Sequence, residues 1–158
     1  MIAGYAYDAQ GRRIRKTVGP AVKKYAYAGN RVVMEHDGLG QKLRKYIYGP
    51  GIDEPICMIT YDAQGSETGR YFYHFDALGS VVALSQYNSA NGHASVVERY
   101  EYSAFGETTV CDAGGTPRAG NTSLYGTPYM FTGRRFDPET QRFNPVSGDL
   151  THPALYHY

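Results

Sequence analysis

Pairs of aromatic residues separated by one position recur along the chain, and this alternation predicts β-strands. The first members of successive pairs lie 20 to 29 residues apart, a spacing typical of repeat architectures. Residues two apart in a strand point to the same face of a sheet, so each pair places two rings side by side. The pairs are Tyr5/Tyr7, Tyr25/Tyr27, Tyr46/Tyr48, Tyr71/Tyr73, Tyr100/Tyr102 and Tyr129/Phe131. We therefore expect six units to stack into one aromatic core.

Short turns containing aspartate and glycine separate the predicted strands. Asp8, Asp62 and Asp76 each stand three positions before a glycine. Aspartate can accept hydrogen bonds from its own turn, and glycine tolerates a positive φ, so we interpret these aspartates as turn formers. Residues 112–128 are rich in Gly, Pro, Thr and Asn and are predicted to form a long surface loop. The pattern predicts an all-β fold in which repetitive antiparallel β-hairpins form a curved strip, without an amphipathic helix of three turns.

Composition and charge exclude several classes of protein. The 158 residues suit one domain or a fragment of a larger repetitive one. The formal net charge of +1 and the absence of a known binding motif argue against a nucleic-acid partner. No stretch reaches the length of a membrane-spanning helix, and residues 1–25 lack the apolar core of a signal peptide. Export, if it occurs, is therefore expected to use another route.

Candidate ligand residues are few. Cys57 and Cys111 are isolated in the sequence, and we favour two buried thiols over a disulfide. His152 and His157 lie five residues apart with no further ligand nearby, so we expect no metal site. No nucleotide or dinucleotide fingerprint is present, and we expect no cofactor.

A short motif and three long segments resemble the Rhs or YD-repeat family. Residues 5–12 read Tyr-x-Tyr-Asp-x-x-Gly-Arg, which is similar to the YD repeat. Residues 73–81, 98–107 and 129–140 are similar to segments of the family's core and follow the family's order. The repeat positions that we expect to be structural are Tyr5, Tyr7, Asp8, Gly11, Tyr25, Tyr27, Tyr46, Tyr48, Tyr71, Tyr73, Asp76, Gly79, Tyr100, Tyr102, Phe105, Gly106, Phe131 and Gly133.

The resemblance implies a bacterial polymorphic toxin, or the related C component of a Tc toxin complex. In those families a strip of hairpins spirals into a hollow shell that encloses a toxic C-terminal domain. Residues 1–140 would then be a core segment of the shell, and residues 141–158 an atypical tail. The implied partners are the remaining shell and its toxin domain, with a secretion-system component as a further candidate. Such proteins are secreted or delivered by a specialised secretion system.

The family's shell contains an aspartyl autoprotease built from a pair of Asp-Pro motifs, and this chain departs from that pattern. Asp137-Pro138 is present, but Asn144-Pro145 stands where the second motif is expected. Aspartyl proteolysis needs two carboxylates that share a proton, and asparagine does not titrate. If cleavage survives, its candidate residues are Asp137, Asp149 and Arg134, and the cut falls between Leu150 and Thr151.

These observations lead to one main hypothesis and two alternatives. The main hypothesis is a non-catalytic structural segment of an Rhs-type toxin shell that encloses or presents a C-terminal effector. The alternatives are a residual aspartyl autoprotease that cleaves near Leu150, and an extracellular module that binds glycan or protein through its tyrosines. An isolated strip would leave both sheet edges unpaired, so we expect self-association unless the last strands fold over to cap one end.

Overall fold

Ten strands form one antiparallel sheet in which each strand pairs with its neighbours in sequence. The computed structural model describes residues 3–51 and 54–140 in full, and residues 142–143, 150–152 and 155–157 as backbone. The strands are β1 (Gly4–Tyr7), β2 (Arg13–Val18), β3 (Ala21–Ala28), β4 (Arg31–Asp37), β5 (Lys42–Tyr48), β6 (Pro55–Tyr61), β7 (Glu67–Phe75), β8 (Val81–Asn88), β9 (His93–Tyr102) and β10 (Thr108–Asp112). The prediction of an all-β fold built from antiparallel hairpins is confirmed.

In the described part of the chain, four short strands and three 3₁₀ turns follow the sheet. The antiparallel pairs are β11 (Arg135–Asp137) with β14 (Leu155–His157), and β12 (Arg142–Phe143) with β13 (Leu150–His152). The 3₁₀ turns span Ala119–Asn121, Phe131–Gly133 and Pro138–Thr140. The part of the chain that the structure describes contains no α-helix, and therefore no helix of the length and apolarity needed to cross a membrane.

One face of the sheet carries the repeated tyrosines, and we call it the tyrosine face. Its buried rings belong to Tyr25, Tyr46, Tyr71, Tyr73 and Tyr100. The second members Tyr27, Tyr48 and Tyr102 are partly buried against them. Tyr7 differs, with 48% of its surface exposed, because β1 is a terminal strand of the sheet and is flanked by one strand only.

The sixth aromatic pair does not lie in the ten-stranded sheet, contrary to the prediction. Pro128 has no N–H group to donate to a ladder, and Thr132 and Gly133 adopt positive φ values of 49° and 69°. These features end regular pairing, and Phe131 enters a 3₁₀ turn. Tyr129 and Phe131 lie on a segment that packs against the tyrosine face, where the Phe131 ring lies 5.5 Å from that of Tyr102.

Five-residue turns with a common hydrogen-bond pattern join many of the strands. In the first turn, Asp8 Oδ1 accepts hydrogen bonds from the N–H groups of Gln10 and Arg12, both at 2.9 Å. The Gly11 N–H donates to the Asp8 carbonyl at 3.0 Å. The same carboxylate pattern recurs at Asp37, Asp62, Asp76 and Asp112. These aspartates stabilise tight turns at the ends of the sheet.

Two turn glycines allow backbone strain to be separated from steric overlap. Gly79 and Gly106 have nearly the same φ, +80° and +81°. A methyl group on Gly79 would meet no atom within 4 Å, whereas one on Gly106 would lie 2.6 Å from the Phe131 ring.

We expect Gly79→Ala to lower the free energy of unfolding by about 1–2 kcal/mol, through its left-handed backbone alone. Gly106→Ala is expected to lower the free energy of unfolding by about 1–3 kcal/mol more than Gly79→Ala does, because the Phe131 ring must also move. Urea denaturation of the two variants measures the difference. Equal losses would show that the Phe131 contact does not constrain this turn.

Candidate functional site

Residues 121–139, which we call the crossing segment, run across the tyrosine face from β10 to β1. At one end the Asn121 side-chain amide donates to the Thr108 carbonyl at 2.6 Å, and its oxygen accepts from the Val110 N–H at 2.7 Å. At the other end Glu139 accepts a hydrogen bond from the Tyr5 hydroxyl at 2.9 Å. Residues 121–139 therefore cover the face of the sheet between its two terminal strands.

The predicted surface loop over residues 112–128 is only partly at the surface. Thr127 is 5% exposed, and its hydroxyl lies 2.8 Å from the Tyr73 hydroxyl. The Tyr125 ring lies 4.9 Å from the ring of Tyr71. The loop carries too few apolar residues for its burial to be predicted from pattern, yet its hydroxyl groups are the partners that buried tyrosines need.

Glu98 joins the crossing segment to β9. Its side chain is fully buried, and it accepts hydrogen bonds from the Ser123 and Tyr100 hydroxyls and from the Leu124 N–H at 3.0 Å. Arg118 lies 3.3 Å away and pairs with the same carboxylate. Burial, with Glu98 beside it, raises the pKa of Tyr100 well above its ordinary value, so this hydroxyl stays a donor.

Glu35 joins the crossing segment to β4. The Arg135 guanidinium donates to Glu35 Oε1, and Arg44 Nη1 lies 3.2 Å from Oε2. Burial by itself would raise the pKa of Glu35, but the cations of Arg135, Lys23 and Arg44 outweigh it and lower the pKa to about 2. The carboxylate is therefore ionised throughout the physiological range of pH.

Arg135 sits in a cage of tyrosine rings. Its guanidinium carbon lies 4.9 Å from the ring centre of Tyr25, 5.8 Å from that of Tyr46 and 5.2 Å from that of Tyr129. Such contacts with the faces of aromatic rings favour a desolvated cation. The charged end of Arg135 is therefore buried, and it pairs with Glu35.

Asp137 joins the crossing segment to β2. Arg13 Nη1 lies 2.9 Å from each carboxylate oxygen of Asp137, and Lys16 Nζ lies 2.7 Å from Oδ1. The same lysine amine lies 2.6 Å from Glu139. The Arg13 guanidinium also lies 4.2 Å from the ring centre of Tyr5. Asp137 is 4% exposed, so this ion network is removed from water.

Tyr129 occupies the centre of the covered face. Its ring packs edge-on against those of Tyr46, Tyr48 and Tyr73, at centroid distances of 5.2, 6.2 and 6.1 Å. Its hydroxyl lies 2.5 Å from the Tyr48 hydroxyl and accepts from Arg135 Nη1 at 3.1 Å. The ring thus fills the space between β5 and β7, and its hydroxyl links the aromatic core to the Glu35 cluster.

The surroundings of Asp137 are those of an ion network. A proteolytic dyad has two carboxylates that share a proton, whereas here the Lys16 amine lies between Asp137 and Glu139. Asp149 lies outside the described residues. Arg134 is half-buried, and Leu150 and Thr151 lie in β13, which pairs with β12. The described residues therefore bring together Asp137 with Arg13, Lys16 and Glu139, and provide no second carboxylate in direct contact with Asp137.

Other candidate chemistry is limited. Cys57 and Cys111 are buried free thiols. Among the residues that the structure describes, no group of three or more His, Cys, Asp or Glu side chains could hold a metal ion. The crossing segment covers the tyrosine face, so its buried rings do not form the exposed aromatic platform that a glycan-binding module would need.

Three carboxylates are buried among the described residues, and two of them, Glu35 and Glu98, were not predicted from the sequence. A signal for Glu98 was present, because it precedes Tyr100 by two positions and therefore points to the same face of the strand. Glu35 is directly opposite Tyr25 in the β3–β4 register, which only the pairing of the strands reveals.

Comparison with known proteins gives a short region of similarity to much longer chains. The chain is 30% identical over 140 residues to the tRNA3(Ser)-specific nuclease WapA of Bacillus spizizenii, and 31% identical over 140 residues to the tRNA(Glu)-specific nuclease WapA of Bacillus subtilis subsp. natto. Each match covers 87% of this chain and 5% of the relative. The tRNA nuclease WapA of Bacillus subtilis strain 168 matches over the same length at 30% identity.

No family model matches the chain. A solved structure, titled Crystal Structure of TcdB2-TccC3-TEV, aligns with 94% of this chain and 12% of its own length, at 13% identity. Its TM-score of 0.22 is too low to support an argument about the fold. The chain spans about 5% of the length of the curated relatives it matches. It is therefore similar to a short segment of WapA tRNA nucleases, and the resemblance to Rhs and YD-repeat toxins is consistent with that similarity.

Proposed function

We propose that this chain is a non-catalytic structural segment of an Rhs-type toxin shell, which encloses or presents a C-terminal effector. The observation that carries the proposal is the crossing segment. This segment is attached to the tyrosine face through three buried carboxylates, Glu35, Glu98 and Asp137. All three carboxylates pair with cations. Buried carboxylates that are all engaged in internal ion pairs support a structural role better than a catalytic one.

The length of the relatives supports the interpretation of this chain as a segment of a larger assembly. In this proposal residues 1–140 form the wall and residues 141–158 form an atypical tail. The partners are the rest of the shell and a toxin domain, because the matched relatives are tRNA nucleases in which this region is a small part. The complete protein would be secreted or delivered by a specialised secretion system.

A chimera tests the structural role. The aligned segment of a WapA tRNA nuclease is replaced by the matching residues of this chain, and the purified chimera is treated with an added protease. We expect the nuclease part of the chimera to resist digestion as long as it does in the parent protein. A matched variant that lacks the aligned segment should lose its nuclease part at least about tenfold faster, because opening the wall exposes the enclosed domain.

Two results would contradict the structural proposal. One is a chimera whose nuclease part is digested as fast as that of the deletion variant although its β-sheet signal in circular dichroism is intact. The other is a deletion variant that protects its nuclease part as well as the parent does. Either result would mean that this segment contributes nothing to enclosure.

Intact-mass measurement separates the structural proposal from residual autoproteolysis. We expect purified chain incubated for several days to keep a single full-length mass, because Asp137 is paired with Arg13 and Lys16. The Asp137→Asn variant is the matched control and should give the same result. A fragment ending at Leu150 that appears in the parent chain and is absent from the variant would instead establish cleavage between Leu150 and Thr151.

A further inference from the structure

A cavity of about 220 Å³ lies between the crossing segment and strands β2 and β3. Val18, Met130 and Phe136 supply apolar wall, and Thr127 and Tyr25 add hydroxyl-bearing side chains. The charged lining residues are Lys16, Lys23, Arg135, Asp137 and Glu139. A space of this size holds several waters or a small organic molecule. The structural role proposed above makes no use of it.

The cations at the cavity differ in whether they are paired. Lys16 pairs with Asp137 and Glu139, and Arg135 pairs with Glu35. No hydrogen bond or ion pair joins the Lys23 amine to another residue that the structure describes. Burial lowers the pKa of Lys23; Glu35 opposes this effect, while the cations around the cavity add to it.

The neighbouring lysine has a different environment. Lys24 is exposed, points to the opposite face of β3, and its amine donates to the Gly38 carbonyl at 2.8 Å. Lys23 points towards the cavity and is half-buried. An anion in the cavity would give this half-buried ammonium an acceptor and a charge-assisted hydrogen bond. The two adjacent lysines therefore form a matched pair for experiment.

We propose that this cavity binds a small organic carboxylate, whose charged end pairs with Lys23 and whose apolar body packs against Val18, Met130 and Phe136. A singly charged ligand fits because one cation lacks a partner, whereas the charges of Lys16 and Arg135 are already offset. The apolar wall favours a carboxylate with a hydrocarbon or aromatic body over a bare inorganic anion.

Titration of the full chain with benzoate tests this site, with amide chemical shifts in nuclear magnetic resonance as the readout. We expect saturable shifts at the cavity residues, and no saturation with benzamide, which has the same ring and no charge. Lys23→Met should weaken benzoate binding at least about tenfold, the effect of losing a charge-assisted hydrogen bond. Lys24→Met should leave the dissociation constant unchanged within about twofold.

A second neutral variant, Lys23→Gln, guards against loss of folding in Lys23→Met, and both are compared with the parent by circular dichroism. The proposal is overturned if benzoate causes no saturable shifts in the parent chain at millimolar concentrations. It is also overturned if a folded Lys23 variant binds benzoate as tightly as the parent, or if benzamide binds as tightly as benzoate. The structural role does not depend on Lys23 and would survive any of these outcomes.

Discussion

The Glu35→Gln variant is expected to have a free energy of unfolding about 3–5 kcal/mol below that of the parent chain. Glutamine keeps the size of the side chain but removes its charge, so the guanidinium groups of Arg44 and Arg135 lose their carboxylate. Glu35 is 1% exposed, so water cannot solvate the two guanidinium groups in place of the lost carboxylate. Urea denaturation followed by circular dichroism measures the loss.

A surface ion pair provides the matched control for Glu35. Glu67 and Arg70 lie 3.0 Å apart, and their side chains are 40% and 47% exposed. We expect Glu67→Gln to change the free energy of unfolding by less than about 1 kcal/mol. The double variant Glu35→Gln with Arg135→Met should lose less unfolding free energy than the sum of the two single variants, because Arg135 is then not left without its carboxylate. A Glu35→Gln loss as small as that of Glu67→Gln would contradict the role of Glu35.

The Tyr129→Ala variant is expected to lose about 3–5 kcal/mol of unfolding free energy, the range found when a large buried aromatic side chain is removed. Tyr129 is 4% exposed and packs edge-on against three tyrosine rings. Its removal leaves a cavity between the crossing segment and the sheet. Urea denaturation gives the loss, and near-ultraviolet circular dichroism reports the altered packing of the neighbouring tyrosines.

Tyr129→Phe separates the ring of Tyr129 from its hydroxyl. This variant keeps the aromatic packing and loses the hydrogen bonds to Tyr48 and Arg135, so we expect a loss of about 1 kcal/mol. Tyr87→Ala is a second control, because Tyr87 is 42% exposed and its truncation should cost less than about 1 kcal/mol. If Tyr129→Ala lowered the free energy of unfolding as little as Tyr87→Ala, the packing of Tyr129 on the tyrosine face would not stabilise the fold.

Most of the sheet could be predicted from sequence because its elements are local. Alternating aromatic residues mark every second strand, β1, β3, β5, β7 and β9. The Asp-x-x-Gly spacing seen at Asp8 and Asp76 marks turns between strands. Both signals act within a few residues. The pair Tyr129/Phe131 shows the limit of this reasoning, since the same alternation occurs on a segment that prolines and left-handed residues keep out of the sheet. That the strip forms part of a shell stays a prediction.

The buried ion clusters could be predicted only in part, because their partners are far apart in the sequence. Arg44 and Glu98 each precede a buried tyrosine by two positions, so the period of a strand places them on the tyrosine face. Charged residues at such positions are usually solvated, and nothing local indicates that residues 121–139 will cover them. The role expected for Asp137 depended on Asp149, which lies outside the described residues, whereas its contacts with Arg13 and Lys16 depend on strands more than 120 residues away.

The position of the crossing segment in the sequence has a consequence for synthesis on the ribosome. All ten sheet strands are translated before residues 121–139, and the Tyr5–Glu139 hydrogen bond spans 134 residues. Translation adds about 5–20 residues per second, so a sheet that folds as it emerges would spend about a second or more without its cover. During this interval, a nascent chain presents a wide surface of tyrosine rings and charged groups that lack partners. We therefore expect late closure to make the unfinished chain a substrate for chaperones and to allow neighbouring nascent chains to associate.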